Sequence, residues 1–514
     1  MHLNSVLKMY MQEEKFFSKK FANKFSPKFS SKKWEEIARR TSIQIFNDAI
    51  ISVKGYRNFL ERNRIKVRKI THWDQFISIP PVSKKNYLAK YPLPDRCKKD
   101  SFNKLQIYTS TSGSTGRAFY FCRDGELDWQ YSLLAENFLQ QNTQGRKNVP
   151  TLVIICFGLG VWIGGLITYR AFEIAIQRAK SATSIIAPGV NKDQIFEALK
   201  NLAPYFSQVI LVGYPPFIKD IIDESKERGI NLKKIKLRLL FAAEGFSELF
   251  RNYLNKHTNI ENLYNDTLNI YGSAELGAMA WETGLSILIK ELALEDQDLL
   301  EQLFNIGSAT GKIPTLAQYN PFFINFEEKN SRLLITGKNS LPLIRYDIGD
   351  QGGVLSFDYI LETFRNKGIN LLALAKKKRI NKIEKFPFVY VYERVDLSTK
   401  LYGAIIYPEH IKLALQKKEF EGSLTGKFTA VVRFRKNQDQ YLEINVELKR
   451  NVKKSLSLLK QIKNQIVSEL LTKNDEYRNN YNALKHRVIP TIILWNYGST
   501  SYFQVGVKQK WVKR

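Results

Sequence analysis

Between residues 105 and 271 the chain alternates short apolar runs with longer segments of helical periodicity. Leu105–Thr109, Thr151–Phe157, Gln208–Val212, Leu237–Ala242 and Thr267–Tyr271 read as strands. Leu127–Gln140, Asp193–Leu202, Phe217–Arg228 and Ser247–Asn255 read as helices. Apolar runs without polar alternation belong to strands covered on both faces. The pattern therefore predicts an α/β fold, a large N-terminal domain with mostly parallel sheets flanked by helices. In such sheets ligands bind beyond the carboxyl ends of the strands, so chemistry is to be sought in the loops that follow them.

At 514 residues the chain exceeds what one hydrophobic core supports. Its first part is helical in pattern, with apolar spacing in Lys33–Phe46 and Ala49–Leu60, and turns at Ile79-Pro80-Pro81 and Tyr91-Pro92-Leu93-Pro94. A change of character near Glu393–Lys400 opens a smaller α+β segment the size of a mobile lid. The expected division is a helical N-terminal region packed on the main domain over 1–78, a core over 79–393 and a C-terminal lid over 394–514.

The uncharged stretch Asn148–Tyr169 is long enough for a membrane span, but Pro150, Gly158, Gly160, Gly164 and Gly165 interrupt it. It reads instead as a buried strand, a glycine-rich loop and a helix from about Ile163. No stable membrane span is expected. Met1–Arg40 mixes Lys and Arg with Glu and has no apolar core of a signal peptide. Three cysteines are too few for a disulfide framework, and five scattered histidines do not make a zinc site. A reduced, cytoplasmic protein is expected. Lys and Arg number 79 against 49 Asp and Glu, a net charge of +30. Such an excess favours contact with anions. Biased genome composition explains the same number, since Lys, Asn and Ile are all abundant.

The loop after the first strand candidate reads Ser110-Thr111-Ser112-Gly113-Ser114-Thr115-Gly116-Arg117. Its glycines let backbone N–H groups approach an anion, its hydroxyls donate hydrogen bonds and Arg117 adds charge, which together make a phosphate cradle. The G-x-x-x-x-G-K-[ST] spacing of a Walker loop is absent. A later strand ends in Tyr271-Gly272-Ser273-Ala274-Glu275, which places a carboxylate at a strand tip. Leu341-Pro342-Leu343-Ile344-Arg345-Tyr346-Asp347-Ile348-Gly349-Asp350 reads as a turn that ends in a carboxylate suited to the two hydroxyls of a ribose.

The order and spacing of these segments resemble the adenylate-forming superfamily of acyl-CoA synthetases, adenylation domains and luciferases, and within it the phenylacetate–CoA ligase family. The hydroxyl-rich loop is similar to T-S-G-[ST]-T-G-K, and Ile79-Pro80-Pro81-Val82-Ser83-Lys84 to I-P-x-[ST]-K. Tyr271–Glu275 matches Y-G-x-[ST]-E, and Arg345–Asp350 matches R-Y-x-x-G-D. Glu393-Arg394-Val395-Asp396, followed by Gly403, resembles the G-R-x-D hinge with Glu393 in place of its glycine. Gly506-Val507-Lys508-Gln509-Lys510 resembles the lysine segment of the lid. Arg117 for Lys and Ala118 for Pro are further departures.

The resemblance implies AMP-forming ligation of a carboxylic acid, expected to be aromatic or arylacetic, to CoA through an acyl-adenylate, with ATP and Mg²⁺ required. It implies that Thr111, Ser112, Gly113, Ser114, Thr115, Gly116 and Arg117 hold phosphates. Glu275 would hold Mg²⁺, and Asp350 the ribose. Arg394 would meet a phosphate or the ribose edge. Tyr271 and Gly272 would border the adenine, with Ala243 and Glu244 on its other side. Asp396 would be the hinge, and Lys508, or else Lys510, the lid lysine. By position, Phe157, Trp162 and Tyr214 would line the acid's pocket. Two other readings stay open: delivery of the acyl group to an acyl- or peptidyl-carrier-protein thiol or an amine, and a polyanion-binding protein on a degenerate ligase scaffold. Under the leading reading nucleic acid is not a partner.

Overall fold

The computed structural model describes residues 15–25, 28–99, 101–103, 106–110, 119–141, 149–161, 163–305, 313–380, 382–394, 399–499 and 501–503. Its largest element is a twelve-stranded mixed sheet. The wholly buried runs β4 (Thr151–Cys156) and β6 (Gln208–Gly213), with β7 (Leu237–Ala242), buried up to its last residue, form its centre. With β5 (Thr183–Ile186) and β8 (Thr267–Ser273) they run parallel in the order β5-β4-β6-β7-β8. Helices Ile163–Ala179, Lys192–Asn201, Pro215–Glu224 and Glu248–His257 connect these strands and cover both faces. Helix starts are fixed locally: Asn191, Ser247 and Asp124 each accept a backbone N–H from the first turn, as N-caps do.

Beyond β8 the sheet turns antiparallel, through β9 (Gly277–Trp281), β10 (Thr315–Gln318), β14 (Phe388–Arg394), β13 (Leu343–Leu355), β12 (Arg332–Gly337) and β11 (Ile324–Lys329). The two-residue β1 (Val82–Ser83) adds in parallel to β13. Two sequence expectations change here. The strand expected at Leu105–Thr109 is β2 (Ile107–Ser110), which among the described residues pairs antiparallel with β3 (Tyr120–Arg123) alone, outside the main sheet. The turn expected at Leu341–Asp350 is mostly β13, which carries its turn-like residues as an irregularity within the strand. Gly349 sits at φ 95° and the register slips between Asp350 and Gly352, so a glycine-bearing bulge replaces a chain reversal. The stretch Asn148–Tyr169 is strand β4 followed by the start of a helix at Ile163. Among the described residues no helix is long and apolar enough to cross a membrane.

The N-terminal segment packs against the main sheet through aromatic rings. Phe16, Phe21 and Phe25 surround Trp129, and Trp34 meets Phe322 and Phe386. Helix Ser31–Ser52 buries Ile45, Phe46 and Ala49 in the same cluster as Leu333, Ile335 and Leu343. The C-terminal segment is a small separate domain. It comprises the hairpin β15 (Thr399–Leu401) and β16 (Ala404–Ile406), and the three-stranded sheet β17 (Leu424–Phe434), β18 (Gln440–Leu448) and β19 (Thr491–Trp495), with helices Leu456–Lys473 and Asp475–Leu484.

Under β7, β8 and β9 lies a fully buried charge network. Arg251 bonds Glu248 at 2.6 Å and Glu282 at 2.8 Å, and Lys290 bonds the same two carboxylates at 2.6 and 2.5 Å. The Asn269 N–H of β8 donates to Glu282 at 3.1 Å. Two cations matched by two carboxylates keep each charge compensated. Removing one member leaves an uncompensated charge, at a cost of about 3–5 kcal/mol. Glu282→Gln should therefore lower the urea midpoint by an amount in that range once multiplied by the slope. An unchanged midpoint would show that the network contributes nothing net.

Candidate active site

The carboxyl ends of β4, β6, β7 and β8 open on one cleft of about 230 Å³, closed on its other side by the C-terminal domain. Phe157 and Gly158 follow β4, Tyr214 follows β6, Ala243 follows β7, and Tyr271, Gly272 and Ser273 end β8. All of them line the cleft. Ser110 lines it too, held by its N–H to Val161 O at 2.9 Å, so β2 delivers the chain to the cleft at the start of the hydroxyl-rich loop. The glycines after β4 have a steric reason at Gly165, where a Cβ would stand 2.6 Å from Gly158 O.

Two carboxylates face this space, one from strand β13 and one from the turn between β8 and β9. Asp350, in β13, accepts the Tyr271 hydroxyl at 2.5 Å. Its Cα pairs across the ladder with that of Arg394 at the end of β14. Glu275, 4% exposed, accepts the Tyr346 hydroxyl at 3.0 Å and lies 3.3 Å from Lys84 Nζ. Its own carbonyl is fixed by Asn339 Nδ2 at 3.1 Å. Motifs far apart in sequence, Ile79–Lys84, Tyr271–Glu275 and Arg345–Asp350, thus meet as one polar cluster. One stretch of the cleft wall is apolar, formed by Phe157, Ile163, Ile167, Ile270 and Ala278.

The C-terminal domain docks on the strand ends through Glu244. Its carboxylate accepts the Gly403 N–H and the Gln440 Nε2 amide, the latter at 2.9 Å, while its carbonyl accepts Asn269 Nδ2 at 2.9 Å. Ala243 is left-handed at φ 77°, and its carbonyl accepts Lys400 Nζ at 2.6 Å. Farther out, Lys219, whose side chain is fully buried, pairs with Asp223 and with Asp439 of the small domain. Arg487 meets Asp439 at 3.0 Å and Asp220 at 3.6 Å. Burial pushes the Asp220 carboxyl up to about 6, against the pull of Lys192 and Arg487.

No protein-family model matches the chain, and no curated protein does. Solved structures do. The chain is similar to 2-hydroxyisobutyryl-CoA ligase in complex with 2-HIB-AMP and CoA in the thioesterification state, with a TM-score of 0.64 at 14% identity, over 96% of this chain and 91% of that one. The chain has the fold of adenylate-forming enzymes. The same ligase in an open conformation gives 0.53 at 13% identity, over 95% of this chain and 93% of that one. In its postadenylation state it gives 0.53 at 13% identity, over 96% and 91%.

Of the residues singled out in the sequence, the adenylate-forming fold gathers Ala243, Tyr271, Gly272, Glu275, Asp350, Phe157 and Tyr214 around one cleft. Glu244 lies beside them, its carboxylate turned to the small domain. Phe157 and Tyr214 meet edge to face, with ring centroids 4.9 Å apart. Thr111, Ser112, Gly113, Ser114, Thr115, Gly116, Arg117, Trp162, Asp396, Lys508 and Lys510 lie outside the described residues, and Arg394 is described in its backbone alone. Sequence reasoning gave no role to Lys84, Lys400, Tyr131, Thr168 or Glu476, all of which line the cleft. Lys84 alone had a signal, as the last residue of a quoted motif.

At Gly403 the small domain lies close against the Tyr214 ring of the main domain. This glycine sits at φ 82°, and a Cβ there would stand 2.7 Å from the Tyr214 ring. Gly403→Ala adds left-handed strain on the order of 1–2 kcal/mol to that overlap. It should loosen the docked domain, read as faster hydrogen exchange over Thr399–Ile406 and at Tyr214. Unchanged exchange there would mean that the docking does not depend on this contact.

Proposed function

We propose that this chain activates a carboxylic acid with ATP and passes the acyl group to CoA. The observation that carries the reading is the meeting of Tyr271, Glu275 and Asp350 around one cleft, beneath a docked C-terminal domain, in a chain with the adenylate-forming fold. In the first step a carboxylate oxygen attacks the α-phosphorus of ATP, the bond to the β-phosphate oxygen breaks, and pyrophosphate leaves. In the second, the CoA sulfur attacks the acyl carbon, AMP leaves, and the thiol proton passes to solvent. Positioning and charge stabilisation lower both barriers.

Under this reading Asp350 holds the ribose, oriented by Tyr271, and Ala243, Glu244 and Gly272 border the adenine. A single carboxylate at Glu275 fits Mg²⁺ that arrives on the phosphates of ATP, because that ion takes one or two carboxylates and keeps the rest of its shell from phosphate and water. Lys84, now paired with Glu275, supplies a cation to the same phosphates. Thr111–Arg117, entered from Ser110, cradles them. Arg394 meets a phosphate or the ribose, Asp396 is the hinge, and Lys508 closes over the acyl phosphate. We read the domains as 1–78, 79–393 and 394–514. The acid is aromatic or arylacetic, lying along Phe157, Trp162 and Tyr214.

The test is carboxylate-dependent ATP–pyrophosphate exchange over aryl, arylacetic and fatty acids, with Lys508→Ala, Lys510→Ala and Asp350→Ala beside wild type. Exchange with one class of acid is expected. Lys508→Ala should lose on the order of 100-fold or more, as removal of one stabilising donor does, while still transferring a preformed acyl-adenylate to CoA. Transfer to a carrier thiol or an amine in place of CoA would change the acceptor. ATP binding with no exchange for any acid would overturn the reading.

A further inference from the structure

Two buried hydroxyls stand in the apolar part of the cleft. Tyr131, on helix Gly125–Gln140, is 4% exposed, and Thr168, on helix Ile163–Ala179, is 1% exposed. Both line the cleft, and Tyr131 belongs to the core cluster of Phe157, Ile167 and Ile270, against which Ile163 and Ala278 pack. Their oxygens are 3.2 Å apart, and among the described residues each is the other's hydrogen-bond partner with no second one. That separation is long for a hydroxyl–hydroxyl bond.

The proton count matters. Two hydroxyls carry two protons, and their mutual bond uses one, so one donor is left over whichever way the pair points. Burial pushes the Tyr131 phenol up to about 12, against the small opposing effect of Thr168, so it keeps its proton at neutral pH. Phe157, Ile167 and Ile270, which share a core cluster with Tyr131, are hydrocarbon and offer no acceptor. Buried donors in proteins are matched almost without exception. Among the described residues nothing takes that proton, and both hydroxyls line the cleft, so its acceptor is to be sought there, in water or in a bound acid.

Resting on the function proposed above, we infer that Tyr131 and Thr168 are specificity residues selecting an acid whose otherwise apolar acyl group carries a hydrogen-bond-accepting oxygen, as an ether, hydroxyl or carbonyl. Recognition by a buried donor is stringent. A site built to bond a polar group rejects the analogue lacking it far more strongly than an apolar pocket rejects an added hydroxyl, because the donor is then left unmatched. A plain hydrocarbon acid would leave the pair as it stands and gain nothing from it.

The experiment compares isosteric acids in pyrophosphate exchange: para-methoxyphenylacetate against para-ethylphenylacetate, and a keto acid against its methyl-branched isostere. In wild type the oxygen-bearing member of a pair should be preferred in kcat/KM by on the order of 100-fold or more. Tyr131→Phe and Thr168→Val, which keep the shape of the wall, should each bring that ratio below about ten, and Thr168→Ser should restore it. The loss should appear for the oxygen-bearing acid alone, whereas a merely structural role would lower both acids together. Calorimetric binding of non-hydrolysable acyl-sulfamate analogues of each pair should show the same ratios even where turnover is lost. Exchange that runs with a wild-type ratio near one, or a ratio unmoved by either variant, overturns this inference and leaves adenylation standing. Absence of exchange with every acid, with ATP still bound, overturns the adenylation reading and this inference with it.

Discussion

The carboxylate of Glu282 is buried directly after β9, and the chain must give it partners or not fold this way. Arg251 from helix Glu248–His257, Lys290 from helix Gly284–Glu295 and the N–H of Asn269 in β8 converge on it. This one charge therefore fixes two helices and two strands against each other. The consequences run outward. Asn269 turns its amide to the carbonyl of Glu244 at the end of β7, and β8 continues from Asn269 into Tyr271. The residues that meet the small domain and those that meet Asp350 are thus held from beneath by the same network. A buried ion cluster is weak grounds for net stability. As a means of fixing register between strands whose apolar side chains are interchangeable, it has few substitutes.

Glu244 then does at the surface of the main domain what Glu282 does in its interior. It accepts bonds from both Gly403 and Gln440, and Gln440 in turn accepts the N–H of Tyr402. The docked arrangement is specific because each of these donors is a short, directed group, and because Gly403 admits the Tyr214 ring where a side chain would not. Lys219, Asp439 and Arg487 add charge matching at the edge of the same interface. The interface does share an apolar cluster with the main domain, so docking is favoured, with its orientation set by the polar contacts.

Much of this was legible in the chain itself, for identifiable reasons. The parallel strands β4, β6 and β7 were visible because burial on both faces demands unbroken apolar runs, and chemistry at their ends follows from the topology. Glu275 and Asp350 stood out through short motifs. The structural role of Asp350 did not, because Ile348-Gly349-Asp350-Gln351-Gly352-Gly353 has the composition of a turn, and only pairing with β12 and β14 makes it strand. The antiparallel half of the sheet was equally hidden, since β9 to β10 and β13 to β14 are joined by long connections that separate partners in sequence. Tyr131 and Thr168 sit on helices whose apolar faces read as core. What separates them from core is a hydrogen-bond count, which exists only once both helices are in place.

The net charge of +30 takes on a different meaning once burial is known. Among the described residues, buried carboxylates outnumber buried cations, so the positive surplus lies on the exterior. There it is screened within about 8 Å at physiological salt. It can hasten the approach of any anion, but it cannot tell one anion from another. Inside the cleft the arrangement is the reverse: Lys84 is matched to Glu275, and Lys400 to the carbonyl of Ala243. An incoming polyanion must compete with the partners these two cations already have. Selectivity is therefore set by the few paired groups of the cleft. The exterior surplus, whatever its origin, acts on the rate of encounter.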